Sequence, residues 1–123
     1  VGLIRLFDSN RNMALRETPR YDAHMRAYKH PLPSELSLER LLYALSDPIR
    51  LDIVRHLARV AEATCGELDG GRPKSSVSHH FRVLRDAGLV QTRNVGTTHM
   101  NTLRSDELEQ RFPGLLNCIL AQV

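Results

Sequence analysis

Within this 123-residue chain, one short stretch gathers residues suited to touching a polyanion. Ser75, Ser76 and Ser78 offer short donors and acceptors, His79 offers a ring nitrogen, and Lys74 and Arg82 offer long cations. With Val77 at zero and a step of about 100° per residue, Phe81 and Leu84 fall within about 40° of it. Ser75, His79, Arg82 and Asp86 take the opposite side; Ser76 and Ser78 lie on the flanks, and His80 at the edge of the apolar side. A helix divided this way presents the groups needed to meet base edges and phosphates in a major groove. Gly70 and Gly71 sharpen the turn before it, and a helix N-terminus adds phosphate affinity of its own. Plainer roles compete. One of Ser75 and Ser76 is expected to cap the helix, and Ser78 is otherwise a passive surface hydroxyl. His80 reads as a hydrogen-bonded, half-buried structural residue. Arg82 has Asp86 at i+4, but such a pair contributes only about 0.2–0.5 kcal/mol, weak enough for a phosphate to compete.

Other chemistry is poorly supported. Ser78-His79-His80 has the ingredients of a nucleophile and base, yet adjacent helical residues project about 100° apart. No oxyanion pocket or glycine-rich phosphate loop accompanies them, so the chain does not read as an enzyme. Cys65 and Cys118 are too few for a disulfide scaffold. With no export signal in view, reduced thiols in a cytoplasm are expected. A lone Cys65 reads as a small apolar residue, with a redox switch as the alternative. His24, His30 and His56 would join a metal site only if the fold happened to gather them.

The chain is 41% hydrophobic and 25% charged, as expected of one globular domain. No apolar run approaches the ~20 residues of a membrane helix, and Arg5 and Asp8 interrupt any signal-peptide core. The leading valine suggests a start that is missing or replaced by tag sequence. The net charge of +3 is unevenly spread. Residues 1–33 hold six Lys/Arg against three Asp/Glu, whereas 34–123 balance at eleven of each. Inside that neutral part, residues 72–93 set Arg72, Lys74, Arg82, Arg85 and Arg93 against Asp86 alone. That local excess suits a polyanionic partner or a solvated helix face.

These residues need a frame. Residues 1–33 show no sustained period and read as a flexible or loosely docked arm, with a short helix allowed around Tyr21–Tyr28. Residues 34–123 read as the folded domain. Leu38, Leu41, Leu42 and Leu45 make one helical stripe. Ser46-Asp47-Pro48 restarts the chain with a cap and a first-turn proline. Val54, Leu57, Ala58 and Ala61, widened by Ile49 and Ile53, predict a second helix to about Ala61. Residues 65–71 predict a helical turn ended by glycines and anchored by Leu68. The helix of Val77, Phe81 and Leu84 should start at Ser75 or Ser76 and stop at Gly88. Val90, Thr92, Val95, Thr97, Thr98 and Thr102 then favour a β-hairpin, with Gly96 the position for a positive φ. Arg93, Thr97 and His99 would flank or occupy its tip, where an arginine suits phosphate or a minor groove; a solvent-exposed loop is the alternative. Ser105 should cap a last helical stretch that Pro113 breaks. Phe112, Leu115, Leu116, Ile119 and Leu120 complete it as a broad apolar stripe. The predicted class is mainly α with a β-hairpin wing: a winged helix-turn-helix.

Residues 41–57, with Asp47-Pro48-Ile49-Arg50-Leu51, and residues 75–90, with Ser78-His79-His80-Phe81-Arg82-Val83-Leu84, resemble the ArsR/SmtB winged-helix regulators. The resemblance spans about residues 36–121. It implies a homodimer on a pseudo-palindromic duplex operator, usually repressing transcription. It also implies a dimer interface from the first and last helices: Leu38, Leu41, Leu42 and Leu45 with Phe112, Leu115, Leu116, Ile119 and Leu120. The surplus of apolar stripes over what one small core covers points the same way, with closure of a monomer core as the alternative. Many such regulators sense metals through paired cysteines, but this chain has Cys65 without a Cys-x-Cys partner. Its last helix offers Asp106, Glu107 and Glu109 but no histidine. A convergent set of softer ligands is what nickel or zinc would need. The expectation is therefore a DNA-binding repressor with no certain cofactor. A nickel-, zinc- or redox-responsive form of it, and a winged helix serving only protein contacts, are the alternatives.

Overall fold

Ser37 opens the first helix by accepting the Arg40 N–H, and α1 runs Leu38–Ala44. Asp47 opens the second: its carboxylate accepts the N–H groups of Ile49 and Arg50, Pro48 fills the first turn, and α2 runs Pro48–Arg59. Both caps satisfy donors that a helix start leaves without partners. The computed structural model describes residues 27–123. His24 and most of the helix expected around Tyr21–Tyr28 lie outside them, and Ala27 and Tyr28 are not helical.

A 3₁₀ turn, Pro33–Glu35, precedes α1. After α2 come β1 (Ala63–Thr64), α3 (Cys65–Leu68), α4 (Lys74–Ala87), β2 (Val90–Val95), β3 (Thr98–Leu103), α5 (Ser105–Arg111) and α6 (Leu115–Leu120). The strands form one antiparallel sheet in the order β1-β3-β2. The wing pairs in register from Val90 opposite Leu103 to Val95 opposite Thr98. The third strand, β1, was not expected: it pairs only Ala63 with Asn101 and Thr64 with Met100, too few residues to show alternation.

Val77, Phe81 and Leu84 of α4 are buried among Leu41, Ala44, Ile53, Val54, Leu57, Leu68, Leu89, Val90 and Leu108. The apolar side of the helical wheel is therefore the core side. Several boundaries differ from the sequence reading. Helix α2 ends at Arg59, and Ala58 and Ala61 are exposed; Arg50, Ile53, Val54 and Leu57 form its buried stripe instead. Helix α4 begins at Lys74, after Pro73, so neither Ser75 nor Ser76 is its cap. Ser105 is the first residue of α5 rather than its cap, and the preceding Arg104 makes no capping bond. The chain does break at Pro113, leaving two short helices separated by Gly114 in the left-handed region.

Two buried polar nodes tie the layers together. Arg50, only 5% exposed, donates from Nε to the Ala44 carbonyl (2.7 Å) and from one terminal nitrogen to the Tyr43 carbonyl (3.3 Å). Its other terminal nitrogen donates to His80 Nδ1 at 3.2 Å. One cation thus joins the end of α1, the start of α2 and the middle of α4. In the sheet, the Thr92 hydroxyl donates to Asn101 Oδ1 (2.7 Å), while Asn101 Nδ2 donates to the Ala63 carbonyl (3.2 Å) and to Cys65 Sγ (3.3 Å). Asn101 is fully buried, and these bonds offset its desolvation.

Burial holds His80 below its ordinary value of 6.5; Arg50, His79 and Arg72 push the same way, and Asp47 opposes them. His30 is also lowered, by burial first, then by Arg104 and Arg85, against Glu107. Burial alone would raise the Asp47 carboxyl, but the Arg50 and Ile49 N–H groups, with His80 and Arg50 nearby, bring it below its usual range. Both histidines are therefore needed neutral. The unfolded chain takes up protons near pH 6.5, where the folded chain resists them. Their contribution is complete above that pH and is lost as pH falls through the lower folded values. Urea midpoints should decline as pH falls below about 7, with the denaturant dependence unchanged, and less steeply in His80→Gln. Gly88 supplies a second test. Its φ is +86°, and an added Cβ would run into Leu36 Cδ2. Gly88→Ala should cost roughly 2–4 kcal/mol of unfolding free energy, from left-handed strain plus overpacking.

Candidate nucleic-acid interface

The outer side of α4 follows from its inner side. Once Val77, Phe81 and Leu84 are buried, the 3.6-residue repeat turns Ser75, Ser78, His79 and Arg82 to solvent, and all four are exposed. Lys74 is exposed at the first helical position, and Ser76 is half-buried. Pro73 provides no side-chain cap, so the first N–H groups of this 14-residue helix remain available at the end that carries the serines. Among the described residues, Arg82 makes no ion pair with Asp86 or with any other side chain. The cation expected to compete between Asp86 and a phosphate is therefore open to solvent.

His80, one position from His79, has the opposite fate. It is 8% exposed, bonded to Arg50, and 3.9 Å from the Asp47 carboxylate. The structural role read from the sequence is the one observed. The His79 ring sits 5.5 Å from it, tilted outward on the exposed side.

The wing divides its expected contacts. Thr97 lies at the exposed turn beside Gly96, whose φ of +63° is the expected positive value. Arg93 is not at the tip. It stands opposite Met100 in the ladder and pairs with Glu62, before β1, at 2.8 Å. Both side chains are about half exposed, so the pair is weak and does not lock the guanidinium. His99 is exposed but engaged: its Nδ1 lies 2.9 Å from Asn94 Oδ1 and 2.9 Å from the Tyr28 hydroxyl.

Of the basic residues between positions 72 and 93, not all face outward freely. Arg85 donates to the Thr92 hydroxyl (3.4 Å) and lies 4.3 Å above the Tyr28 ring. Arg72 donates to the Asp69 carbonyl at 3.3 Å. Lys74 and Arg82 carry the free positive charge on the outer face. Tyr28, His30 and Glu62 escaped the sequence reading as partners of this region. Nothing in their local pattern marks them, because each meets the wing only through a long-range contact.

The apolar stripes expected at a subunit interface also divide. Leu41 and Leu45 are buried in the protomer core, 2% and 9% exposed, whereas Leu38 and Leu42 are 44% and 46% exposed. The first pair faces α4 and the last helices, and the second lies on the flank of the same short helix. Phe112, Leu115, Leu116, Ile119 and Leu120 are half-buried against the core.

Donor chemistry does not assemble a nickel or zinc site among the described residues. Among the described residues, no three His, Cys, Asp or Glu side chains converge as metal ligands. Cys65 is half-buried with Asn101 Nδ2 beside its sulfur, and Cys118 is exposed elsewhere. No step through a metal follows from this donor set. Among the described residues no helix is long and apolar enough to cross a membrane.

Comparison with known proteins places this arrangement. A helix-turn-helix domain family matches residues 45–93. The HTH-type transcriptional regulator YceK of Bacillus subtilis is 37% identical over 83 residues, covering 65% of this chain and 83% of that protein. The arsenical resistance operon repressor of Staphylococcus xylosus is 36% identical over 73 residues, covering 58% of this chain and 70% of the repressor. The crystal structure of the transcriptional repressor BigR from Xylella fastidiosa superposes with a TM-score of 0.56 at 30% identity, over 69% of this chain and 84% of that one. These relatives are transcriptional regulators rather than enzymes, and the solved repressor structure shares the winged helix-turn-helix fold. On sequence and fold together, the chain belongs to the ArsR/SmtB family of winged helix-turn-helix transcriptional regulators.

Proposed function

We propose that this regulator represses transcription as a cytoplasmic homodimer bound to a pseudo-palindromic duplex operator. The observation that carries the reading is the two-sided character of α4: an inner face fixed by Val77, Phe81 and Leu84, and an outer face of unengaged hydroxyls and cations. Ser75, Ser76, Ser78, His79 and Arg82 meet base edges or adjacent phosphates in the major groove. Lys74 and the open N-terminus of α4 hold phosphate, and Thr97, His99 and Arg93 of the wing grip the flanking backbone or minor groove. Arg93 must exchange Glu62 for a phosphate to do so, a small cost for a half-exposed pair. Residues 34–123 act as the DNA-binding and dimerisation domain, and residues 1–33 as an arm attached to it.

The second subunit is proposed to cover Leu38 and Leu42 of α1 together with Phe112, Leu115, Leu116, Ile119 and Leu120. These apolar side chains are too many to leave against water on so small a protein. Two copies of α4 are then presented to successive half-sites, as a two-fold operator requires.

Three measurements test these roles. Arg82→Ala should weaken operator binding by roughly 1–3 kcal/mol in a gel-shift series and relax preference at one base position. Unchanged affinity and preference remove Arg82 from the interface. Operator affinity should fall with salt at a log–log slope near −0.9 per phosphate contact; salt-insensitive binding favours a module for protein contacts. Leu42→Glu combined with Leu116→Glu should sediment as monomer where the parent protein sediments at twice the chain mass. A monomeric parent removes the dimer.

A further inference from the structure

The sequence Tyr28-Lys29-His30-Pro31 has no secondary structure of its own, yet it touches both halves of the DNA-facing surface. The Tyr28 ring lies between the Arg85 guanidinium of α4, 4.3 Å away, and the His99 ring of β3, 5.7 Å away at a near-perpendicular 79°. Its hydroxyl reaches His99 Nδ1 at 2.9 Å. Two residues on, His30 Nε2 accepts the Thr92 N–H at 3.0 Å. That N–H belongs to β2, the strand at the edge of the sheet, and without His30 it would face outward unpaired.

The wing needs such support. β3 is flanked by β1 only at Asn101 and Met100, so from His99 to the turn it has only β2 beside it. A two-stranded ribbon is marginal on its own. Tyr28 meets the ribbon in this outer half. It also forms one wall of a cleft of about 270 Å³, whose other walls include Lys74 and Ser78 of α4 and Thr97 of the wing. Those three residues belong to the proposed DNA contacts, so the position of Tyr28 sets the gap between them.

We propose that residues 27–31 form a strap that fixes the wing against α4, with Tyr28 as a positioning residue for the DNA grip. The inference rests on the DNA-binding reading above and extends it to a segment outside the helix-turn-helix match. Tyr28 touches no nucleic acid itself. It acts by holding His99 and Arg85 at a set separation, through a stacked cation and one hydroxyl contact.

The test uses the full chain with Tyr28→Ala, Tyr28→Phe and, as a reference, Arg82→Ala. Two readouts are taken: amide relaxation of Gly96 and Thr97 in the free protein, and hydroxyl-radical protection of an operator selected from random duplex DNA. Tyr28→Ala should raise the mobility of the wing turn and abolish protection flanking the site while leaving central protection in place. Its affinity should fall roughly tenfold, the scale of a lost cation–π contact plus one hydrogen bond. Tyr28→Phe keeps the ring and should restore most of the flanking protection. Unaltered turn mobility in Tyr28→Ala overturns the strap, and so does equal loss of flanking and central protection. If the parent itself selects and protects no duplex, the DNA-binding reading fails instead. The relaxation result does not depend on DNA, so the two failures are told apart.

Discussion

A buried guanidinium demands partners on every side, and Arg50, itself in α2, finds them in two other helices. Its donors go to the last carbonyls of α1 and to a ring nitrogen of α4, while its backbone N–H completes the Asp47 cap of α2. Removing any of these acceptors would leave a desolvated charge unsatisfied, which costs far more than the net value of one hydrogen bond. The angle between α2 and α4 is therefore set by polar geometry as well as by packing. Burial of Val77, Phe81 and Leu84 sets which side of α4 faces the core, but being non-directional it fixes the roll of the helix only to within the width of that stripe. The Arg50–His80 bond resists the remaining rotation, and with it any drift of Ser78, His79 and Arg82 from their outward bearing.

This accounts for the unlike behaviour of two adjacent histidines. His80 must stay neutral to accept from Arg50, and burial keeps it so. His79 lies about 100° round the helix and meets solvent. The same division of labour recurs in the sheet. Asn101 and Thr92 face inward and bind the three strands and α3 together, while Thr97 at the turn stays exposed.

Helix α4 was legible in the sequence because its apolar residues are large, regularly spaced and bounded by glycines. Asp47-Pro48 announced α2 for an equally local reason: a carboxylate cap and a proline in the first turn leave little else for the chain to do. Elements decided by distant partners were not legible. β1 has two residues and exists only because β3 offers it an edge. Arg93 was expected to flank or occupy the hairpin tip with no partner named, but Glu62 lies 31 positions earlier and no local pattern joins them. The leucines of α1 were read as one stripe. A helix of seven residues between α4 and the C-terminal helices buries two of them and leaves two exposed, and sequence spacing does not say which. The caps expected at Ser75 or Ser76 and at Ser105 failed for a smaller reason: α4 starts at Lys74 and α5 at Ser105 itself, so each serine lies inside the first turn.

The bond between Tyr28 and His99 spans 71 positions of the chain, and that between His30 and Thr92 spans 62. Closing loops of that size is entropically costly until the rest of the domain is already compact. On a ribosome, the segment bearing Tyr28 emerges before any of its anchors exist. Among the described residues, the first to be made are thus among the last to settle, and completion of the fold waits on their return.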